Sequence, residues 1–402
     1  MKIGFISEHY PPTDGGVATS TQRVARELTK QGVAVQVICF DHSRPINSDD
    51  YIIIEHDGDV EVSRVGPFFL KQPSISVNAI PEKVKAMFRR RAFEQMVRIL
   101  KKNKVDLILS FYLLNAGYLA QFASRELGLP HIAGVRGNDI GRNIFNVERF
   151  AVIQWVVNSA DRVVCVNEHL MKRLLLAFPA VSSKTEVITN GVLMSDEQLS
   201  YANCIKKVHL ATGWDDKILR LVFIGTLREK KGVTTLLKAI TLLRNKVPVR
   251  LLVIGPNLGS VELKLCGDLW TQLKGEGLIF ATGMVSRSDV KQWAAGCDVI
   301  VMPSLDDGMA NGLLEGMALG LCPVVSTVFS DVVNDESGIV VPCGDENALA
   351  DAIYSLAVDR GKMILLGKNA KTAIADRNPA REVIAYKTLF QSLLSQNLQR
   401  EY

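Results

Sequence analysis

The sequence predicts an α/β protein with two domains, each built on a doubly wound parallel sheet. At 402 residues the chain is too long for one ordinary hydrophobic core. Short apolar segments alternate with amphipathic segments, which is typical of the strands and helices of a parallel sheet. The alternation starts at Lys2 and starts again at Arg220, after a polar and irregular stretch over Leu193–Asp216. We therefore expect domains at 1–193 and 194–378, with a last helix at 379–402.

Composition and charge narrow the classes of protein to consider. The chain is 48% apolar and 22% charged, and its net charge of +5 is too small to indicate a nucleic-acid partner. Its N-terminus passes directly into a strand, which is typical of neither a secretion signal nor a membrane span. The seven cysteines stand singly, without a C-x-x-C pair. We therefore expect reduced thiols in the cytoplasm rather than disulfides or a zinc site.

The elements of the first half follow from its apolar runs. It opens with a strand at Lys2–Ser7, a loop at Glu8–Val17 and a helix at Ala18–Gln31, which Thr19 to Thr21 are suited to cap. Further strands, with helices between them, are predicted at Val33–Phe40, Val60–Val65 (a hairpin or edge strand), Val105–Leu109, Ile132–Val135, Arg162–Val166 and Glu186–Ile188.

The second half repeats the pattern. Its helices are predicted at Ala310–Leu319 and, after a break at Asn378, at Pro379–Leu398. Its strands are predicted at Arg220–Ile224, Arg250–Ile254, Leu278–Ala281, Val299–Met302 and Pro323–Ser326.

The loop after Val299–Met302 is the strongest candidate for a binding site. It leaves the carboxyl end of a buried strand and opens a helix, a position where open α/β sheets bind ligands and where free N–H groups favour a phosphate. Asp307 precedes this helix, and Glu315 lies one turn inside it. Carboxylates beside a phosphate site are suited to accept hydrogen bonds from sugar hydroxyls. On these residues alone, a plain loop residue and an exposed helix residue remain alternatives.

The whole run over Val299–Val325 resembles the nucleotide-sugar signature of retaining family 4 glycosyltransferases. That signature, P-S-x-x-E-G-x-x-x-x-x-x-E-A-M-A-x-G-x-P-V-V, has two acidic residues at the spacing of Asp307 and Glu315. The sequence departs from it with Asp for the first Glu, Ala310 for a usual Gly and Gly316 for a usual Ala. The resemblance implies a GT-B fold, in which two Rossmann-like domains face a central cleft. The first domain, 1–193, would bind the acceptor, and the second, 194–378, would bind the nucleotide-sugar donor. The last helix, 379–402, would pack back on the first domain.

The resemblance also implies roles for this loop. Glu315 would hold the ribose hydroxyls of the nucleotide, and Asp307 would hold hydroxyls of the sugar. The backbone that follows Asp307 would hold the sugar and the terminal phosphate, through Met309, Ala310, Asn311 and Gly312.

A basic loop after Arg220–Ile224 resembles the family motif G-R-L-x-x-x-K-G, in which Arg and Lys grip the diphosphate. Lys231 and Gly232 match the motif in register, whereas Thr226 takes the place of the usual arginine and Arg228 follows two residues later. The resemblance implies that Arg228 and Lys231 stabilise the charge of a departing nucleoside diphosphate, usually the largest catalytic contribution. Without it, a solvated charge cluster remains the alternative.

Three shorter segments resemble other parts of the family pattern. Gly15 and Gly16 stand in a P-P-x-x-G-G-V run that would face the donor phosphates, although a tight turn is an alternative. Val285 and Arg287 are placed like the base-binding segment, or form an ordinary loop and helix cap. Asn190 belongs to a run similar to the P-N-G-V hinge, which is alternatively only a turn.

The strand and loop P-H-I-A-G-V-R-G-N-D resemble the family's segment facing the sugar. Many members have H-G-x-D there, and Arg136 takes the place of that histidine. Arg136 is then expected to contact a phosphate or an anionic sugar, while His131 at the start of the strand is expected to be structural. A retaining front-face reaction can use the leaving phosphate as its base, so this substitution does not exclude activity.

A basic amphipathic helix is predicted over Lys83–Lys104. Such a helix can bind anionic lipid at the inner face of a cell membrane, or can pack on its own sheet and leave its charges in solvent. Both alternatives remain open.

Together these resemblances imply an enzyme that transfers a sugar, with retention, from a UDP- or GDP-sugar to a hydroxyl acceptor. The acceptor would be a glycan or a lipid-linked glycan of surface polysaccharide biosynthesis in the cell envelope. No cofactor or metal is expected, because no paired-Asp motif is present to hold one. A non-catalytic sugar-nucleotide-binding subunit and an epimerase of the same fold are the alternatives. The predicted acceptor loops, 41–76 and 145–152, carry no recognisable motif.

Overall fold

A computed structural model describes residues 1–13, 15–41, 52–66, 81–193 and 199–398. The chain divides into two compact units. Unit 1 comprises Met1–Gly191 and Pro379–Tyr402, and unit 2 comprises Val192–Asn378. The predicted junction at Met194 and most of the 41–76 acceptor loop lie outside the described residues.

Unit 1 contains an eight-stranded sheet. All its neighbouring strands are parallel except β3 and β4, which form the hairpin predicted around Val60–Val65. The order across the sheet is β3-β4-β2-β1-β5-β6-β7-β8. The strands are β1 (Lys2–Ser7), β2 (Ala34–Phe40), β3 (Ile52–Asp57), β4 (Val60–Val65), β5 (Leu107–Phe111), β6 (His131–Val135), β7 (Arg162–Cys165) and β8 (Thr185–Val187).

The helices of unit 1 pack on this sheet. They are α1 (Gly16–Lys30), α2 (Glu82–Asn103), α3 (Asn115–Leu127), α4 (Asn138–Gly141), α5 (Val147–Ser159) and α6 (Glu168–Ala177). The predicted capping by Thr19 to Thr21 is wrong, because α1 begins earlier, with Gly15 as its N-cap. The Thr21 hydroxyl instead donates to the Val17 carbonyl, 2.9 Å away, inside the helix.

The predicted basic helix is α2, and its apolar face is not available to a membrane. Phe88, Ala92, Met96 and Ile99 are buried, and the last three belong to a cluster with residues of β1, β2 and β5. Its basic residues are mostly exposed. Within the described ranges, none of the helices combines the length and apolarity that crossing a bilayer requires.

Unit 2 contains a six-stranded parallel sheet in the order β11-β10-β9-β12-β13-β14. Five of these strands lie where the sequence predicts them, and β14 was not predicted. The strands are β9 (Leu219–Ile224), β10 (Val249–Ile254), β11 (Ile279–Ala281), β12 (Val299–Met302), β13 (Cys322–Ser326) and β14 (Ile339–Val341).

The helices of unit 2 include one where the sequence predicts irregular structure. They are α7 (Tyr201–Thr212), α8 (Val233–Leu243), α9 (Ser260–Gly275), α10 (Arg287–Ala295), α11 (Asn311–Ala318), α12 (Glu346–Val358) and α13 (Arg360–Ala373). The expectation of an irregular Leu193–Asp216 stretch is therefore wrong over α7. Ser200 caps this helix, Gly213 (φ 72°) ends it, and Cys204 and Val208 are buried in the core.

The last helix, α14 (Pro379–Leu398), has the bounds that the sequence predicts and belongs to unit 1. Five of its residues are buried in a core cluster with residues of α1, β1, β2 and β5. Its Glu382 is 4% exposed, pairs with Arg23 at 2.9 Å and accepts the Gly191 N–H at 2.9 Å. The buried residues are Val383, Tyr386, Leu389, Phe390 and Leu393.

The order of the strands determines where ligands can enter each sheet. In unit 1 the chain proceeds from β1 to one side and later to the other, so the direction changes between β1 and β5. In unit 2 it changes between β9 and β12. Open α/β sheets bind ligands outside the carboxyl ends of the strands at such a switch point. Each unit therefore presents one such position.

Candidate functional site

The switch point of unit 2 lies between the loops that follow β9 and β12, and backbone contacts hold these loops together. The Lys230 carbonyl accepts the N–H groups of Leu305 at 2.8 Å and Asp306 at 3.1 Å. Gly232 adopts a φ of 71°, and a Cβ there would lie 1.9 Å from the Pro303 carbonyl oxygen. Only glycine permits both this conformation and this approach. The basic and acidic loops are therefore held in a defined arrangement.

Lys231 and Asp307, predicted from separate motifs, form an ion pair at this point. Lys231 Nζ lies 3.0 Å from Asp307 Oδ2, and the two side chains are 17% and 12% exposed. The Gly308 N–H donates to the other carboxylate oxygen at 3.0 Å. Gly225 (φ 138°) lies beside the lysine, where an added Cβ would be 3.5 Å from Nζ. The ammonium group of Lys231 is thus held in place at the carboxyl edge of the unit 2 sheet.

Neighbouring cations add to the positive charge of this loop. Arg228 is exposed, and its carbonyl accepts the Lys231 N–H at 2.8 Å. Burial lowers the pKa of Lys230, and Asp307 acts in the opposite direction. Arg228, Lys230 and Lys231 place three cations in this loop, and Glu229 and the facing Asp306 and Asp307 place three carboxylates beside them.

The start of α11 is the second component of the site. Its N-cap, Ala310, has no side chain that accepts a hydrogen bond from the first turn, so the helix start favours an anion. An added Cβ at Gly312 would lie 2.9 Å from Ile224 Cβ, which places the helix start directly over the end of β9. Met309, Asn311 and Gly312 are half-buried, while Ala310 is buried.

Glu315 of α11 forms an ion pair with Arg287 of α10. Arg287 Nη2 lies 3.5 Å from Glu315 Oε1, and the carboxylate side chain is 19% exposed. Val285 packs partly against the core, and Ser286 caps α10 by accepting the Asp289 N–H at 3.2 Å. The segment is therefore a capped helix start, as one alternative predicts, and it also brings Arg287 to Glu315.

Two models of known families match this chain. The sequence model described as "Glycosyl transferases group 1" matches residues 219–359, which contain the unit 2 site. The model described as "Glycosyltransferase Family 4" matches residues 14–195 of unit 1. The chain is a group 1/family 4 glycosyltransferase. The family predicted from the Val299–Val325 signature is thereby confirmed.

Individual relatives of this glycosyltransferase are distant. It is 23% identical to an alpha-monoglucosyldiacylglycerol synthase of Streptococcus pneumoniae, over 90% of this chain and 84% of the relative. It is also 23% identical to a D-inositol 3-phosphate glycosyltransferase of Kribbella flavida, over 92% and 90%. Among solved structures, the Anabaena protein HepE in complex with UDP-glucose aligns over 98% and 100% at 19% identity, with a TM-score of 0.75. This structural likeness confirms the predicted GT-B fold.

In unit 1 of the glycosyltransferase, the structure places Arg136 and Asn190 together in the interior. Arg136 is 8% exposed, donates from Nη2 to Asn190 Oδ1 at 2.8 Å, and lies 4.0 Å from the centre of the Phe111 ring. Burial lowers the pKa of Arg136, while Tyr386 and Glu382 of α14 act in the opposite direction. This guanidinium is thus surrounded by protein groups, an environment that the sequence did not indicate.

Gly15 and Gly16 form the start of α1. Gly15 is exposed with a φ of 130°, and its carbonyl accepts the Thr19 N–H at 3.1 Å. The pair thus forms a turn into the helix, as one alternative predicts, and its contact with a donor remains a prediction.

His131, at the start of β6, and Asp139, in the helix after it, are both buried. The His131 ring lies between Ser110 Oγ and Gln121 Oε1, each 2.8 Å away, and burial lowers its pKa to about 3. Asp139 accepts the backbone N–H groups of Leu113 and Arg136 at 3.0 and 2.9 Å. Burial raises the pKa of this carboxyl to about 6. These contacts give His131 the structural role that the sequence predicts.

Unit 1 also contains a cavity of about 640 Å³. It lies at the switch point between β1 and β5, and several of its lining residues come from the loops after β1, β5 and β6. The predicted acceptor loop 145–152 contributes Glu148, Arg149 and Val152 to the lining, although most of it forms the start of α5 rather than a loop. A second signal in the sequence is the mostly polar segment Asn138–Asn143, shortly after the predicted strand Ile132–Val135.

Across residues 1–13, 15–41, 52–66, 81–193 and 199–398, no group of three or more His, Cys, Asp or Glu side chains could hold a metal ion.

Proposed function

We propose that this glycosyltransferase binds a nucleoside diphosphate sugar on unit 2 and transfers its sugar, with retention, to a hydroxyl acceptor. The observation that carries the proposal is the Lys231–Asp307 pair at 3.0 Å, beside the start of α11. A fixed cation and a helix start provide positive charge for a diphosphate, and the carboxylate provides an acceptor for sugar hydroxyls.

Lys231 and Asp307 have different roles in the proposed reaction. Lys231 and the first-turn N–H groups of α11 stabilise the charge that develops on the diphosphate as the glycosidic bond breaks. Asp307 holds Lys231 in place with one oxygen, and its other oxygen can accept from the sugar. With Arg228 and Lys230 in the same loop, the cations supply the charge that a metal would otherwise supply, so we propose metal-independent transfer.

Glu315 is proposed to bind the ribose of the nucleotide. It is half-buried, and Arg287 at 3.5 Å is its charged neighbour. An ionised carboxylate in this position can accept from both vicinal hydroxyls of a ribose. The base would then lie toward Val285, whose side chain is partly buried against the core.

We propose that Arg136 stabilises the interior of unit 1 and does not contact the sugar. Its guanidinium already contacts Asn190 and the Phe111 ring, and Asp139 holds its backbone N–H. The reaction then needs no protein side chain as a base. The leaving phosphate can take the proton of the acceptor hydroxyl as that hydroxyl attacks from the same face of the sugar, so the anomeric carbon retains its configuration.

The acceptor and the cellular setting are proposed from the names of two relatives. The relatives described above are named for a diacylglycerol glycoside and for an inositol phosphate. We propose a glycan or lipid-linked acceptor of cell-envelope polysaccharide synthesis, used in the cytoplasm at the inner face of the membrane. The exposed basic residues of α2 would provide the contact with anionic lipid.

Replacing Arg90 and Arg91 with Glu should then weaken binding of the protein to phosphatidylglycerol vesicles. Unchanged binding would contradict the proposed membrane contact.

The donor site is tested by thermal unfolding with UDP, GDP and ADP, each with and without EDTA. Ligand that binds only the folded protein raises the melting temperature by mass action. We expect one nucleotide to raise it, equally with EDTA present. A Glu315→Gln variant should lose most of the shift. A Glu276→Gln variant is the matched control, because Glu276 pairs with Arg244 at 3.1 Å elsewhere in unit 2.

Three results would each contradict one part of the proposed function. If no nucleotide raises the melting temperature, the proposed donor site is wrong. If a nucleotide binds and its sugar derivatives are neither hydrolysed nor transferred, the protein is a sugar-nucleotide-binding subunit. If EDTA abolishes the shift, the loop cations do not suffice and metal independence fails.

A further inference from the structure

Glu262 is a buried carboxylate next to the basic loop of unit 2, which comprises residues 225–232. It lies in the first turn of α9 and is 9% exposed. Because β9 and β10 are parallel neighbours, the start of α9 lies at the same edge of the sheet as this loop. We propose that Glu262 is a positioning residue, which holds the basic loop so that Lys231 meets the diphosphate of the donor. The inference rests on the proposed function.

A hydrogen bond joins Glu262 to the backbone of the basic loop. Its Oε1 accepts the N–H of Glu229 at 3.1 Å. Glu229 begins one tight helical turn that ends at Lys231. In this turn the Arg228 carbonyl accepts the Lys231 N–H, and the Glu229 carbonyl accepts the Gly232 N–H, each at 2.8 Å. The orientation of the Glu229 peptide therefore sets the point from which the Lys231 side chain leaves the backbone.

Two other elements hold the same turn. Thr234 of α8 donates from Oγ1 to Glu229 Oε2 at 2.6 Å. The Lys230 carbonyl accepts two N–H groups of the loop after β12. Successive residues of the turn are thus fixed by α8, by α9 and by the loop that carries Asp307. The contact from Glu262 is made by its side chain, so a substitution can remove it and leave every residue of the basic loop unchanged.

The loop after β10 brings Glu262 to this position. Gly255 adopts a φ of 148°, and a Cβ there would lie 2.2 Å from the Gly225 carbonyl oxygen, so the loops after β9 and β10 are in close contact. A Cβ at Gly259 would lie 2.7 Å from Glu262 Oε2. Non-helical angles at Cys266 (φ −144°, ψ 18°) separate the first part of α9 from the rest. The segment that carries Glu262 therefore has its own direction.

The charge of Glu262 is not neutralised by a neighbouring cation. Among the residues that the structure describes, this carboxylate forms no ion pair. Withdrawal of an ionised carboxylate from water costs free energy, which the N-terminus of α9 and the Glu229 N–H offset in part. Side chains that break such a rule are expected mainly at functional sites. The proposed task of Glu262 is to accept this one N–H group.

Glu262→Ala and Glu262→Gln in the full-length protein test the proposal. Alanine removes the acceptor of the Glu229 N–H, so kcat of sugar transfer should fall about tenfold or more. The donor KM should change less, because the diphosphate charge that Lys231 stabilises develops in the transition state. Glutamine keeps an oxygen that can accept, so it should restore most of kcat. A merely structural role would lower the melting temperature and leave kcat unchanged well below it.

Amide hydrogen exchange without nucleotide measures the contact directly. Exchange in segment 228–232 should be faster in Glu262→Ala and should match the wild type in Glu262→Gln. Glu276→Ala is the matched control, because Glu276 lies at the C-terminal end of the same helix and pairs with Arg244 at 3.1 Å. It should change neither kcat nor exchange in this segment.

Three results would overturn the proposal: an unchanged kcat in Glu262→Ala, an equal loss of kcat in the alanine and glutamine variants, or unchanged exchange in segment 228–232. If Glu262→Ala does not fold, Glu262→Asp replaces it. Aspartate keeps the charge and is one methylene shorter, so it should lower kcat and speed exchange in the same way. A failure of the donor site is recognised separately, because no nucleotide would then raise the melting temperature of the wild type, and exchange would still show whether Glu262 holds the loop.

Discussion

At the scale of single residues, Lys231 is the cation whose loss should cost most activity. Removing one preorganised group that stabilises transition-state charge typically lowers kcat by about 100- to 1000-fold. We expect Lys231→Ala to lower kcat/KM by that factor, because the leaving diphosphate loses its fixed cation and Asp307 loses its partner. Steady-state transfer or donor hydrolysis, with the nucleotide identified by thermal unfolding, provides the measurement.

Lys238→Ala is the matched control for Lys231→Ala. Lys238 lies on α8 of the same unit and pairs with Glu346 at 3.3 Å, half exposed to solvent. Exposed pairs of this kind contribute about 0–1 kcal/mol to stability, so its loss should leave kcat/KM within about twofold. A Lys231→Ala enzyme that kept more than a third of its activity would show that the charge of this residue is dispensable.

A second residue prediction concerns acid stability. The folded pKa of His131 is about 3, below the ordinary value of 6.5, because the ring is buried. As the pH falls below 6.5, the unfolded chain therefore binds a proton that the folded chain excludes. Folding stability is lost at up to about 1.4 kcal/mol per pH unit down to about pH 3. Unfolding in urea at pH 7 and pH 5 measures this loss.

His131→Asn removes the titration, so its stability should depend less on pH. The stability gap between wild type and variant should shrink by about 2 kcal/mol between pH 7 and pH 5. The exposed His56 supplies a control, since His56→Asn should leave the pH dependence as it is in the wild type. An equal gap at both pH values for His131→Asn would show that this histidine does not set the acid limit.

Residue-scale prediction from sequence is most specific where a motif places a residue on one loop, and the binding roles of these residues stay predictions. Lys231, Asp307 and Glu315 were each predicted to line a site, and the structure places them around the start of α11. Their pairing was not predictable, because it depends on the order β9–β12 that brings two distant loops together. The surroundings of Arg136 were missed for the same reason, since they include α14 from the other end of the chain.

At the scale of elements, the packing of α11 on β12 explains why the sequence has glycine where the family signature has alanine. An added Cβ at Gly316 would lie 2.5 Å from Ile300 Cδ1 and 3.0 Å from its Cγ2. Overpacking of a core costs about 1–3 kcal/mol. We therefore expect Gly316→Ala to lower the free energy of unfolding by this amount, as measured in urea.

Two further variants separate overpacking from a general effect of the substitution. Ile300→Val removes Cδ1, so the combined Gly316→Ala/Ile300→Val protein should regain part of the loss. Gly267→Ala in α9 meets only Leu263, at 3.6 Å and beyond, and alanine in a helix is favoured over glycine by about 0.8–1.0 kcal/mol. That variant should be neutral or more stable. Equal destabilisation by both alanines would refute the close-packing explanation.

Sequence patterns predicted elements well where apolar runs were long or breaks were strong. The bounds of β12 and α14 agree with the prediction, since a four-residue apolar run and an Asn-Pro break mark them. The helix α7 was missed because few of its residues are buried and its polar composition resembles a linker. The strand β14 was missed because it has only three residues.

At the scale of the whole molecule, the two units have separate cores. The largest hydrophobic cluster contains only residues of unit 2, from Val192 to Ile374. Two other clusters belong to unit 1, and one of them includes α14. The chain passes between the units at Gly191–Val192 and returns at Asn378–Pro379. A ligand that binds to one unit should therefore stabilise mainly that unit.

Amide hydrogen exchange tests this separation and the proposed donor site together. The nucleoside diphosphate should slow exchange in segments 225–232 and 303–316, which contain the loops after β9 and β12. It should leave exchange in segments 112–118 and 138–149 of unit 1 unchanged, because the two units have separate cores.

Variants make the exchange experiment decisive. Lys231→Ala should remove the protection by the nucleotide, whereas Lys238→Ala should keep it. Because the two units have separate cores, neither substitution should alter the basal exchange of unit 1. If the nucleotide protected segments 112–118 and 138–149 instead, it would be bound by unit 1, and the loops after β9 and β12 would not be the donor site.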